Sequence, residues 1–137
     1  EWKKNNTFGT LAFTSYGFFW ITLVSIWVLP AIFPTVIQSI SPAPHEMGWF
    51  LLLWGVFSTF MFIGTFKLSR ALQVVFGLLI ALFYLLAAAY FTEIHEIHIW
   101  AGYVGIICGL SAIYTSVAQV LNELWGREVM PICPMKK

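Results

Sequence analysis

The chain has 137 residues, of which 60% are hydrophobic, 18% aromatic and only 9% charged, with a net charge of +1. A soluble domain carries about 25% charged residues, so a water-facing globule is excluded. A nucleic-acid binder is excluded too, because the seven Lys and Arg residues form no stripe on any one element.

Taken in chain order, the first apolar run is Phe8 to Leu29, and no charge occurs between Asn5 and Pro44. A helix of that length reaches about 33 Å, enough for the hydrocarbon layer. Asn6 and Thr7 are the candidate caps at its start, and Pro30 and Pro34 are expected to stop it. Residues Pro34 to His45, with Pro42 and Pro44, read as a loop. Run two is Met47 to Phe66 and run three Ala71 to Phe91. The turn between them, Lys67-Leu68-Ser69-Arg70, is short, so these two spans are antiparallel neighbours. A second short link, Thr92 to Glu96, leads into run four. The expected spans are therefore about 8–29, 47–66, 71–91 and 97–122, in a single membrane domain over 1–137. Backbone groups in lipid must be satisfied within their own segment, and the runs are unbroken rather than alternating. Helices are thus expected and a β-barrel is excluded. The fold class is all-α, an integral membrane bundle of four transmembrane helices.

The charges give its direction. Lys3 and Lys4 precede run one, Lys67 and Arg70 separate runs two and three, and Arg127, Lys136 and Lys137 follow run four. The other two connections carry no Lys or Arg, but Glu46, Glu93, Glu96 and all three histidines, His45, His95 and His98. Short basic loops stay cytoplasmic. The reading is a multi-pass protein of the plasma (inner) membrane with both chain ends cytoplasmic. Lys3 and Lys4 lead straight into a full-length span, so the start does not read as a signal peptide. Trp49, Trp100 and Tyr90 fall near the outer ends and Trp125 near the inner end, as interfacial anchors. Run four carries a ladder of small residues, Ala101, Gly102, Gly105, Gly109 and Ala112. Gly105 and Gly109 make a small-xxx-small pair that admits a helix from the same subunit or from another. Cys108 lies inside run four and Cys133 in a tail on the reducing side, so both read as thiols.

No charged residue lies deep in a span, and no nucleophile–base constellation or phosphate loop occurs. An enzyme is not expected, nor an intramembrane ion relay. His95 and His98 read as a solvated pair; no metal and no cofactor is expected. What the spans offer instead is neutral polarity. Run one has Thr10, Thr14, Ser15, Tyr16 and Thr22, run two has Ser58 and Thr59, and run four has Tyr103, Ser111, Tyr114, Thr115, Ser116 and Gln119. Taken singly, such hydroxyls bond their own helix. Thr14-Ser15-Tyr16-Gly17 is the densest cluster and the best local candidate for the lining of a path.

The stretches Asn6-Thr7-Phe8-Gly9, Ala12-Phe13-Thr14-Ser15-Tyr16-Gly17 and Phe19-Trp20 resemble the acetate uptake transporter family. The resemblance continues through Leu53-Trp54-Gly55-Val56-Phe57, Phe62-Ile63-Gly64-Thr65, Arg70-Ala71-Leu72-Gln73, Ile107 to Tyr114, Val120-Leu121-Asn122-Glu123 and Gly126-Arg127. It implies a subunit of six spans of which this chain matches the last four, and the start at Glu1 fits a fragment. The family's Asn-Pro-Ala-Pro signature is absent; Ser41-Pro42-Ala43-Pro44 echoes it in a different place and inherits nothing. By resemblance, the function is transport of acetate and related short-chain carboxylates such as succinate, by an anion channel or by proton symport. The partners implied are a small carboxylate, the lipid bilayer and a homo-hexamer. A hydrophobic and aromatic constriction in each subunit would include Tyr16 and Leu79, with a Phe from an upstream span. Ala112 matches a position tied to substrate size, and Thr14, Ser15 and Trp54 adjoin these motifs. A non-transporting structural subunit of a membrane complex is the alternative that aromatic richness and the small-residue ladder would equally suit.

An uncharged gate has a physical reason. An anion at bilayer centre is disfavoured by roughly 2.5–3.5 kcal/mol even on insertion scales. A fixed cation would offset this but hold the anion too tightly to release it. Hydroxyl donors offset part of the cost, and passage as the neutral acid avoids it.

Overall fold

The computed structural model describes residues 2–34 and 42–135. The expected loop from Pro34 to His45 falls in part on residues 35–41, outside the described residues, as do Ser41 of the signature echo and the basic residues Lys136 and Lys137. Among the described residues, four helices are long and apolar enough to cross a membrane. No strand is formed among the described residues, beyond an isolated bridge between Ser69 and Pro134. The chain is all-helical, as its apolar runs require. Residues 1–43 and 44–137 make two separate compact units.

The first unit opens on a short 3-10 turn, Trp2–Lys4, followed by α1, Thr7–Ile32. Asn5 adopts φ +53°, a left-handed conformation that asparagine tolerates. The Asn6 side chain then caps the helix by accepting the N–H of Gly9 at 3.0 Å. Pro30 lies inside α1 and does not end it. Pro30 leaves one N–H out of the ladder, yet the helix continues past it and Phe33 N–H still closes on Leu29 O at 2.9 Å.

The second unit holds α2 (Pro44–Thr65), α3 (Arg70–Thr92) and α4 (His95–Trp125). Pro44 sits at the first helical position, where its missing N–H costs nothing, and Glu46 in the first turn faces the positive end of the helix dipole. That start lies three residues ahead of the apolar run. Ser69 caps α3 by accepting Leu72 N–H at 3.3 Å. Glu93 at φ +55° closes α3 by donating to Ala89 O at 2.9 Å, and Gly126 at φ +61° closes α4.

α3 packs against both α2 and α4. Phe76, Phe83, Ala87 and Ala89 are its buried residues, and the buried set also includes Leu51 and Met61 on α2 and Ala101 and Ala118 on α4. Many large apolar side chains, among them Leu53, Phe60, Ile63, Ile106 and Leu110, stay exposed. Such exposure is tolerated by membrane helices, because lipid tails solvate apolar side chains as well as a core does.

Candidate functional site

In the first unit, Thr7, Thr10, Leu11, Thr14 and Ser15 recur at helical spacing and share one face of α1. With Trp2, Asn5 and Asn6 they line a groove of about 440 Å³, within the range of small-molecule sites. The lining is hydroxyl, amide and apolar, with no charged side chain among these residues. Thr10 Oγ1 is buried and meets no hydrogen-bond partner, so it is the unsatisfied donor of the groove. Thr14 is exposed, and Ser15 and Tyr16 are half-buried. The expected pair Thr14 and Ser15 thus does share a cavity. Thr10, Asn5 and Asn6 were not singled out for this role, although the spacing of residues 7, 10, 11, 14 and 15 was visible as a polar face.

In the second unit, Trp54 on α2 is half-buried in an aromatic row. Its ring meets Phe57 at 5.5 Å and Phe50 at 6.4 Å, both edge to face. Gly55 lies on the α2–α3 seam, where an added Cβ would stand 3.2 Å from Tyr84 Cε1 and 3.3 Å from Phe83 Cβ. Next to it Thr59 Oγ1 and Tyr84 OH hydrogen-bond across the helices at 3.2 Å. No local pattern reveals this pair, since its members are 25 residues apart. Leu79 on α3 and Ala112 on α4 are each half-buried. Leu79, Ala112 and Trp54 thus stand on three different helices of this unit, whereas Tyr16, Thr14 and Ser15 belong to the first.

Several candidate hydroxyls are committed elsewhere. Ser58 donates to Trp54 O at 2.8 Å, Ser111 to Cys108 O at 2.7 Å and Thr115 to Ser111 O at 2.8 Å. Their protons serve their own helices and are not offered to a solute. The small-residue ladder divides. A Cβ at Gly105 would meet Leu82 of α3 at 3.5 Å, whereas Gly102 and Gly109 face open space. Cys108 is buried and its thiol donates to Val75 O at 3.6 Å, a link from α4 to α3; Cys133 is exposed, and both are free.

The tail after α4 folds back as a strap. Asn122 Oδ1 accepts Val129 N–H at 2.6 Å and Met130 N–H at 3.0 Å, while its Nδ2 donates to Met130 O at 2.8 Å. Tyr114 OH donates to Pro131 O at 3.0 Å. Cys133 O and Ile132 O then accept Arg70 N–H and Ala71 N–H at 3.1 and 3.3 Å. The tail carbonyls thereby satisfy two donors that the start of α3 would leave orphaned. A cavity of about 280 Å³ remains beneath, lined by Arg70, Val74, Ser111, Tyr114 and the strap. Among the described residues no group of three or more His, Cys, Asp or Glu could hold a metal ion. His98 stacks edge to face on Tyr90 at 5.0 Å.

The model of the GPR1/FUN34/yaaH family matches residues 1–136. The succinate-acetate/proton symporter SatP of Escherichia coli (strain K12) is 49% identical over 134 residues, covering 96% of this chain and 68% of that protein. The glyoxylate pathway regulator of Yarrowia lipolytica is 30% identical over 122 residues, 89% of this chain and 45% of that protein. Among solved structures, the bacterial acetate channel SatP superposes with a TM-score of 0.89 at 50% identity, covering 96% of this chain and 71% of that one.

Proposed function

Because the chain belongs to the GPR1/FUN34/yaaH family, we propose that it moves acetate and related short carboxylates such as succinate across a membrane. The observation that carries this is the 49% identity with a succinate-acetate/proton symporter across 96% of the chain. The chain is a transport protein and not an enzyme. The alternative of a structural subunit loses its ground, since the proteins matched over 96% of the chain are a symporter and a channel.

The finer reading concerns how. By family resemblance Tyr16 and Leu79 are members of an uncharged constriction, Ala112 is tied to substrate size, and Thr14, Ser15 and Trp54 belong to the substrate path. The α1 groove supports a polar path, because its lining offers donors without a fixed charge. The acid passes neutral or together with a proton, which spares the cost of a bare anion in hydrocarbon. Subunits associate as a homo-oligomer, a hexamer by family resemblance. Both chain ends face the cytoplasmic side of the inner membrane, a reading supported by Lys and Arg lying before α1, between α2 and α3 and after α4, with none in the other two connections.

The test is uptake of labelled acetate by liposomes containing the full-length protein, with excess unlabelled succinate as competitor. Saturable uptake that succinate suppresses is expected. Uptake no faster than in empty liposomes, by protein that is folded by circular dichroism, rejects the reading.

A further inference from the structure

A neutral imidazole has one bare ring nitrogen, and an imidazolium has none. His45 uses that nitrogen here: its Nε2 accepts the indole N–H of Trp49 at 3.1 Å, one turn along α2. Phe91, in the last turn of α3, meets both rings edge to face, His45 at 5.0 Å and Trp49 at 5.2 Å, while the two rings stand 6.0 Å apart. Gly48 makes the approach possible, since a Cβ there would lie 2.7 Å from Phe91 Cε1. Gly48 is itself buried, so the Phe91 ring lies directly on the α2 backbone between His45 and Trp49.

We infer that His45, Trp49 and Phe91 form a proton-sensitive latch that clasps the first turn of α2 to the last turn of α3. Histidine is the side chain whose charge changes between about pH 5 and 8. A proton added to Nε2 points at the indole N–H, so two donors face one another and the bond is lost. The imidazolium can no longer accept the indole N–H, so the cup around Phe91 loses the hydrogen bond that holds His45 to Trp49. The latch is closed with His45 neutral and is lost as pH falls. Other titratable groups sit at this end: Glu46 on α2, Glu93 closing α3, and His95, Glu96 and His98 opening α4. His45→Gln leaves all of these groups in place, so a step that is lost in that variant belongs to His45 and not to them. The inference rests on the contacts of α2 with α3 and not on which solute the protein carries.

The experiment follows the Trp49 indole N–H by NMR in full-length, indole-¹⁵N-labelled protein in nanodiscs, assigning the resonance by its loss in Trp49→Phe. From pH 8 to pH 5 it is expected to leave its hydrogen-bonded position in a single-proton step. His45→Gln, which cannot take up the proton, abolishes that step; His95→Gln retains it. The indole resonances of other tryptophans of the chain, such as Trp54 and Trp100, report that each variant is folded. A Trp49 resonance that stays put over this range, or that titrates in His45→Gln as in the wild type, overturns the latch.

Discussion

Single side chains in this protein show which hydroxyls are spent and which are free. Ser58, Ser111 and Thr115 return their protons to their own helices, while Thr10 Oγ1 finds no partner at all. Tyr16 follows directly on the polar face that contains Thr10, Thr14 and Ser15. If it narrows the path, Tyr16→Ala should raise succinate uptake relative to acetate on the order of tenfold, the scale on which a small change in pocket size discriminates between substrates. Competition assays on the variant in liposomes check this, and an unchanged ratio removes Tyr16 from the constriction. The Thr59–Tyr84 bond makes a second prediction. Hydrogen bonds between membrane helices average about 0.6 kcal/mol and reach about 1.7. A double-mutant cycle of Thr59→Val and Tyr84→Phe should return a coupling of that size from reversible unfolding in detergent. Coupling near zero would leave the seam to Gly55 and its aromatic neighbours alone.

At the scale of elements, helix length and helix ends decide what meets water. α4 has 31 residues and is thus about 46 Å long, well beyond the 30 Å or so of hydrocarbon. Its surplus turns carry His95, Glu96 and His98 at one end and Glu123 and Trp125 at the other, outside the apolar layer. The strap draws on the same logic, because a helix start away from lipid still needs partners for its N–H groups. Asn122→Ala removes three bonds to residues 129 and 130, each worth about 0.5–1.5 kcal/mol net. Loss of local stability of about 1.5–4.5 kcal/mol is therefore expected. Faster hydrogen exchange at the Arg70 and Ala71 amides, whose acceptors lie in the strap, is the observable. Exchange unchanged in the variant would mean that Tyr114 and the α3 start hold the strap without Asn122.

For the whole molecule, the segregation of charge makes the direction of insertion testable with residues already present. Cys133 is exposed in the tail and Cys108 is buried between α3 and α4. With the tail on the cytoplasmic side, a membrane-impermeant maleimide should leave Cys133 unlabelled in intact cells and modify it, but not the buried Cys108, once the membrane is permeabilised. Cys133→Ser should then remove the signal. Labelling of Cys133 in intact cells would reverse the orientation.

Helix existence was legible in the amino-acid order because the hydrocarbon layer permits little else: uninterrupted apolar runs of span length must satisfy their backbones internally. Short links made α2, α3 and α4 sequential neighbours, and the family was legible in motifs around Tyr16, Trp54 and Ala112. Helix ends were less so, since Pro30 is tolerated within the last turn of α1 and Pro44 starts α2 ahead of its apolar run. Pairings between distant residues had no local signature. The bond of Thr59 to Tyr84, the seating of Phe91 on Gly48 and the capture of the α3 start by tail carbonyls depend on how helices are rotated against one another. Rotation is chosen by side-chain fit across the seams, a property of three-dimensional packing that no periodicity along one helix contains.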